Sequence, residues 1–392
     1  MDGPGRRARL RPPAPAPARH GAVALTQHGA TKWADVDPSA ITHNTKLVKQ
    51  LVGETTAVMA VVKADGYGHG AVSSARAAIA GGATWLAVSS VTEGIELRGA
   101  GLLEPILNLG YTPPSALSAA IAAKLALTLY DREGLALLKT AATAIGVHVK
   151  VDTGMHRLGA APEEAVQLAI EVDADPNLRL EGFWTHFADA DKDPAFTREQ
   201  LHVFLDARSA LIRAGVTGFL SHAANSPGLL RFPEARLDLV RAGLILYGVR
   251  PVQNWDDLPG LRPALRWQTI VTNVLTVPAG GSVGYGRKFL AREPARVATI
   301  AVGYADGLHR RASGSGRAIV RGVAVPIAGT ISMDQAALDV RSVPDIAVGD
   351  VVTLIGEDGA ATLSAHDLAE ASGTISYEVL CAISSRVPRR YL

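Results

Sequence analysis

Eight short apolar runs, alternating with helix-like segments, restrict the fold of this chain more than any other feature. The runs are Thr56–Val62, Trp85–Val88, Pro105–Leu109, Ala126–Tyr130, Val147–Val151, Leu180–His186, Gly218–His222 and Leu237–Arg241. Each has the length of one barrel stave. Between most of them lie amphipathic or Ala-rich segments such as Ser115–Lys124, Glu133–Ala142, Glu163–Val172 and Arg198–Ala214. Such alternation predicts parallel strands joined by helical crossovers, and eight repeats predict a closed (β/α)8 barrel of the TIM type over residues 31–260. The rival is an open doubly wound sheet, but its G-x-G-x-x-G fingerprint is missing. Ahead of the first run, Asp37-Pro38-Ser39 reads as a helix start, with Ile41, Val48, Leu51 and Val52 following at helical spacing.

Past Pro251 the rhythm changes. Trp267–Val277, Arg296–Val302, Ala318–Ala328, Ala336–Val340 and Val351–Ile355 are strand-like and separated by Gly-rich turns. They predict a second, β-rich domain over residues 261–392. A chain of 392 residues that is 48% hydrophobic can fill both cores. The first 30 residues, rich in Pro, Ala and Arg, read as a disordered extension. They lack the apolar core of a secretory signal; a transit peptide is the alternative. A formal net charge of +2 argues against nucleic acid or an anionic membrane as partner. The single cysteine, Cys381, excludes an intrachain disulfide framework and suits a reducing cytoplasm.

The chemistry begins at Ala60–Gly70, AVVKADGYGHG. Lys63 falls where the first apolar run ends, a place where desolvation lowers an amine's pKa. A lysine there is a candidate nucleophile toward a carbonyl cofactor, although a strand-end lysine that merely snorkels to solvent is the plainer reading. Gly66, Gly68 and Gly70 would let the backbone approach a ligand, with Tyr67 supplying a hydroxyl. Lys63, Lys150, Arg157, His186, Ser226 and Arg241 all fall at or just after strand C-termini, the end at which barrel enzymes carry their sites.

The segment resembles the cofactor-lysine signature of bacterial alanine racemase, a fold-type III family that uses pyridoxal 5'-phosphate (PLP). The likeness continues in order through VDTGMHRLG, THFADAD, ANSPG, VRAGLILYG, GYGR, VGYADG, GTISMDQ and TISYEV. It implies a barrel followed by a β domain, and a homodimer that interconverts L- and D-alanine and supplies D-alanine for peptidoglycan.

The resemblance also implies roles. Lys63 would hold the PLP aldehyde. Ser226, the amides near Gly243 and Leu244, Tyr67 and Tyr377 would cradle the phosphate. Arg241 would face the ring nitrogen, and a guanidinium, having no acceptor, would keep that nitrogen unprotonated. Two bases would act on opposite faces, Lys63 and the partner subunit's Tyr285. A phenol of ordinary pKa, about 10, is a poor base, so a hydrogen-bonded chain through His186 to Arg241 would draw off its proton. Arg157 and the Met333 amide would meet the substrate carboxylate, with Asp334 in support. Tyr304 and Tyr377 would line the entrance and favour a side chain as small as alanine's. The matching lysine, Lys150, is carbamylated in related enzymes to brace the arginine; an ordinary salt bridge is the alternative.

Taken singly, most of these residues have blander readings: a hairpin tyrosine, a core histidine, a turn serine, a core methionine. Asp189, Asp191 and Asp193 alternate like a calcium loop but lack its glycine and terminal glutamate. No catalytic metal is expected. The functional rivals are a serine or broad-spectrum racemase, a decarboxylase of the same fold type and a non-catalytic PLP carrier.

Overall fold

A computed structural model describes residues 29–392. The expected disorder of residues 1–30 falls almost wholly outside them. The first strand, β1 (Lys32–Val36), is followed by Asp37, whose carboxylate accepts the Ser39 N–H at 2.8 Å and starts the helix Pro38–Val52. Pro38 sits in the first helical turn, where a missing N–H costs nothing.

Eight strands follow: β2 (Ala57–Val61), β3 (Trp85–Val88), β4 (Ile106–Asn108), β5 (Ala126–Leu129), β6 (Ile145–Lys150), β7 (Leu178–Trp184), β8 (Leu220–His222) and β9 (Leu239–Ala242). They form one sheet ordered β8-β7-β6-β5-β4-β3-β2-β9, each bonded pair parallel. Two hydrogen bonds draw β8 and β9 together, Asp238 N–H to Ser221 O (3.2 Å) and Arg241 N–H to Ala224 O (3.0 Å). The expected barrel is therefore present. Its strands are mostly apolar because helices cover one face and the barrel interior the other. Met59 is fully buried, and truncating it to alanine should cost about 2–5 kcal/mol.

Strand ends differ from expectation by a residue or two. His186 stands two residues beyond β7 rather than ending it. Asp193, part of the calcium-like pattern, instead caps the helix Pro194–Arg213 by accepting from Phe196 N–H.

A second, nine-stranded sheet is organised on β10 (Leu265–Val277). The first half of β10 pairs with β1 and with a later strand, Val351–Asp358; its second half pairs with Ala295–Ile300. By sequence, β1 lies in the span expected to be barrel, yet its ladder partners are β10 and the last strand, Arg389–Tyr391. Buried Asp35 of β1 receives both arms of Arg390 at 2.7 and 2.9 Å. The run expected as one strand over Ala318–Ala328 is a hairpin, Arg317–Val320 with Val323–Pro326. Arg321 and Gly322 turn it with φ of 50° and 75°, the conformation two-residue hairpin loops require.

Candidate active site

Lys63 follows β2 and opens a turn of unusual hand. Ala64, Asp65, Gly66 and Tyr67 have φ of 53°, 52°, 60° and 53°, the left-handed region that L side chains avoid at a cost of about 1–2 kcal/mol each. The surroundings hold that turn in place. Glu93 accepts the Ala64 N–H at 2.7 Å, and Asp65 accepts the Ala71 N–H at 2.8 Å. Burial, then the charge of Arg157, lowers the Lys63 pKa. The glycines serve differently from expectation. A Cβ at Gly68 would lie 2.4 Å from the Leu380 carbonyl oxygen, and one at Gly70 would lie 1.9 Å from the Tyr391 hydroxyl. Both make room for the chain's own C-terminal segment rather than for a ligand.

Arg241 is 3% exposed on β9. Its Nη1 donates to His222 Nδ1 (2.9 Å) and His222 O (3.1 Å); its Nη2 donates to Thr185 O (2.7 Å), Ala223 O (2.8 Å) and His186 Nδ1 (3.1 Å). No carboxylate pairs with it among the described residues. Trp184 lies under the guanidinium at 4.7 Å. Burial brings the Arg241 pKa down to about 9, and His186 is held well below the usual imidazole range by burial and by Arg241. Behind His222, His148 Nδ1 lies 3.0 Å from His222 Nε2.

Ser226 Oγ accepts the Gly243 N–H at 3.0 Å, joining two of the expected cradle residues. Tyr67 faces the same spot: a Cβ at Gly243 would stand 2.7 Å from its hydroxyl. Leu244 continues directly from Gly243 into a short 3-10 turn. Tyr377, on the helix Ser376–Ala382, has its ring 6.2 Å from that of Tyr67, and burial raises its pKa to about 12. Hydroxyls, backbone amides and the space a side chain would fill make a fitting seat for a phosphate. With an amine at Lys63 and a carboxylate-free cation at Arg241, the donor set suits PLP.

Lys150 is 2% exposed, donates to Leu158 O at 2.7 Å and lies 5.0 Å above the Trp184 ring. Burial and Arg157 bring its pKa down to about 8. It makes no salt bridge among the described residues, so the plain ion pair is not the arrangement found. Arg157 itself is exposed beside this group.

Tyr285, Tyr304, Met333 and Asp334 form a separate group in the β-rich part. Tyr285 sits in a hairpin turn, where Thr330 Oγ1 donates to its carbonyl at 2.8 Å. Tyr304 N–H donates to Ser332 O, and Ala305 N–H to Met333 O, both at 3.0 Å. The side chains face outward: Tyr285 is 73% exposed, Met333 53% and Tyr304 42%. No hydrogen bond or ion pair among the described residues joins them to Lys63, Arg157 or Arg241. Of the expected relay, the His186–Arg241 link is made and the Tyr285 link is not made within one chain.

Sequence reasoning passed over Glu93, Trp184, His148 and His222. Glu93 stands at the fourth position of the Ser-x-x-Glu pattern SVTE, a readable signal, although its carboxylate accepts the Ser89 and Ala64 N–H groups rather than that of Ser90. His222 ends its strand much as His186 follows its own, which was also readable. His148 and Trp184 carried no local mark.

Family models agree with this layout. The alanine racemase N-terminal domain matches residues 36–251 and the alanine racemase C-terminal domain residues 264–391. The chain is 42% identical over 365 residues to the alanine racemase of Desulfovibrio desulfuricans, covering 92% of this chain and 98% of that one. Among solved structures, the alanine racemase of D-cycloserine-producing Streptomyces lavendulae superposes with a TM-score of 0.87 at 36% identity, covering 93% of this chain and 97% of that one. The alanine racemase of Bacillus anthracis with bound L-Ala-P gives a TM-score of 0.85 at 37% identity, covering 92% and 95%.

Proposed function

The chain belongs to the alanine racemase family and is an isomerase of that class, and on that premise we propose that it interconverts L- and D-alanine with PLP bound at the barrel rim. The observation that carries the reading is Arg241, a buried cation whose hydrogen-bond partners among the described residues are imidazoles and carbonyls.

Lys63 would hold the cofactor's aldehyde carbon, and Ser226, Gly243, Leu244, Tyr67 and Tyr377 its phosphate. When bound, PLP withdraws electrons from the substrate's α-carbon and acidifies the proton there. Arg241 has no acceptor and leaves a facing ring nitrogen unprotonated, which limits that withdrawal and favours simple proton transfer. Lys63 Nζ, its pKa lowered by burial and Arg157, takes or returns the proton on one face. The Tyr285 hydroxyl does so on the other. Arg157 and the Met333 amide anchor the carboxylate, and Tyr304 and Tyr377 narrow the approach.

Tyr285 is exposed and, among the described residues, unconnected to its own chain's Lys63, which supports a homodimer in which each site borrows Tyr285 of the partner subunit. Met333 and Tyr304 sit in the same group and would be lent with it. We place the enzyme in the cytoplasm, supplying D-alanine for peptidoglycan. Over the sequence, residues 31–260 would serve as the cofactor domain, β1 excepted, and 261–392 as the lending domain.

The test follows optical rotation of L-alanine with the purified full chain, with and without added PLP. Rotation should decay, faster with cofactor, and borohydride should fix the cofactor on Lys63. An unchanging rotation, or label on a different lysine, rules the reading out.

A further inference from the structure

We propose that Asp306 is a positioning residue for the neighbouring subunit's site: its buried carboxylate joins two loops into one ledge that presents Met333 and Tyr304. This rests on the shared-site reading above. Asp306 is wholly buried, at 0% exposure. Its Oδ2 accepts the Gly303 N–H at 3.0 Å and closes the turn that carries Tyr304. Its Oδ1 takes Lys32 Nζ at 2.8 Å and Arg386 Nε at 3.3 Å. Arg386 then reaches out through Nη2 to Asp334 Oδ1 at 2.6 Å, next to Met333. One carboxylate thus ties the turn, β1, the C-terminal segment and the Met333 loop together.

The two loops touch backbone to backbone. A Cβ at Gly303 would lie 2.3 Å from both Ser332 O and Met333 O, so the Tyr304 turn and the Met333 loop can close up only over a glycine. Tyr304 N–H and Ala305 N–H bond across the same seam. The ledge also has a floor, because the Ser384 N–H donates to Asp306 O at 3.1 Å. Met333 and Tyr304 themselves are exposed, so their placement comes from this backbone and not from packing of their side chains. Desolvating a carboxylate is costly, and pairing with two cations often does no better than break even against an apolar replacement. A group of that kind is poor evidence of stability and better evidence of a geometry held for use. The outer pair, Arg386 with Asp334, is half exposed and by itself worth little.

Asp306→Asn keeps an acceptor for Gly303 but removes the charge that Lys32 and Arg386 answer. Because the Met333 amide would bind the carboxylate before and during proton transfer alike, KM for alanine should rise about tenfold while kcat stays within about twofold. Asp306→Glu should recover part of the loss. The decisive measurement uses hybrid dimers of Asp306→Asn with Lys63→Ala. Such a hybrid has one site with intact barrel and intact ledge, and one lacking both. Wild-type KM in the hybrid is expected; a KM still raised shows that Asp306 acts on its own chain and overturns the proposal. Hybrids of Tyr285→Phe with Lys63→Ala serve as the control, since their failure to regain activity refutes the shared site itself. If Asp306→Asn does not fold, Arg386→Gln tests the same link from its exposed end. It should raise homodimer KM about threefold, with wild-type KM in the hybrid, and an unchanged homodimer KM overturns the proposal equally.

Discussion

Arg241 Nη2 and His186 Nδ1 stand 3.1 Å apart, and since the guanidinium can only donate, His186 must accept at Nδ1 and carry its own proton at Nε2. Burial and the cations Arg241, Lys150, Arg157 and Lys63 all keep that imidazole neutral. A neutral histidine with a fixed tautomer can pass a proton without trapping it.

Replacing Arg241 by glutamate should let a facing ring nitrogen protonate. The holoenzyme should gain a long-wavelength absorption band on adding alanine, and racemisation should fall by about two orders of magnitude or more. An unaltered spectrum would argue against the assigned place of Arg241.

Tyr285→Phe separates chemistry from folding. The side chain is 73% exposed in the single chain, so stability of the protomer should move by less than about 0.5 kcal/mol. Turnover from L-alanine should nonetheless fall about 10²–10⁴-fold, with cofactor absorbance intact. Equal rates for variant and parent would remove Tyr285 from the mechanism.

Gly243→Ala puts a methyl group 2.7 Å from the Tyr67 hydroxyl, in the proposed phosphate seat. Cofactor titration followed by absorbance should show affinity weakened about tenfold or more. Unchanged affinity would move the seat elsewhere.

Lys150 is poised to exist partly as a free amine near neutral pH, its pKa being about 8. A free amine adds CO2 and releases one proton, giving a carbamate beside Arg157. Enzyme stripped of CO2 should show a raised KM for alanine that bicarbonate restores, and Lys150→Met should abolish that response. Indifference of the parent enzyme to bicarbonate would leave Lys150 a plain amine.

Acid should unfold the protein through its buried histidines. Burial lowers His69 from 6.5 to about 4 and His148 from 6.5 to about 3. Both groups bind protons more readily unfolded than folded, so stability is full above about pH 6.5 and drains as pH falls toward 4. For His69 the difference is on the order of 3 kcal/mol. Tm measured from pH 7 to 4.5 should drop steeply, and less steeply in His69→Gln. A flat profile would mean these imidazoles are not kept neutral by the fold.

The barrel was legible because the information for it is local. Apolar runs of stave length recur with amphipathic segments between them, and each chemically active residue sits where such a run stops. Lys63, Arg241, Ser226 and His186 stand out on that ground together with the family likeness, and each lies at or just past the C-terminal end of a barrel strand. Boundaries slipped by a residue or two because hydrogen-bond ladders, not hydropathy, decide where a strand ends. The hairpin at Arg321–Gly322 is not legible in the sequence, because arginine in a two-residue turn carries no signal of the kind Asn-Gly does.

What the sequence determined alone, then, is the repeating unit and the kinds of chemistry available, since periodicity and side-chain type are properties of neighbours along the chain. Tertiary structure decided three things that depend on segments far apart. It put β1 in a sheet with β10 and the last strand rather than in the barrel. It gave Gly68 and Gly70 to the C-terminal segment instead of a ligand. And it left Tyr285 and Met333 exposed and, among the described residues, unbonded to their own Lys63, because a separate two-stranded hairpin and a loop of the β-rich part carry them.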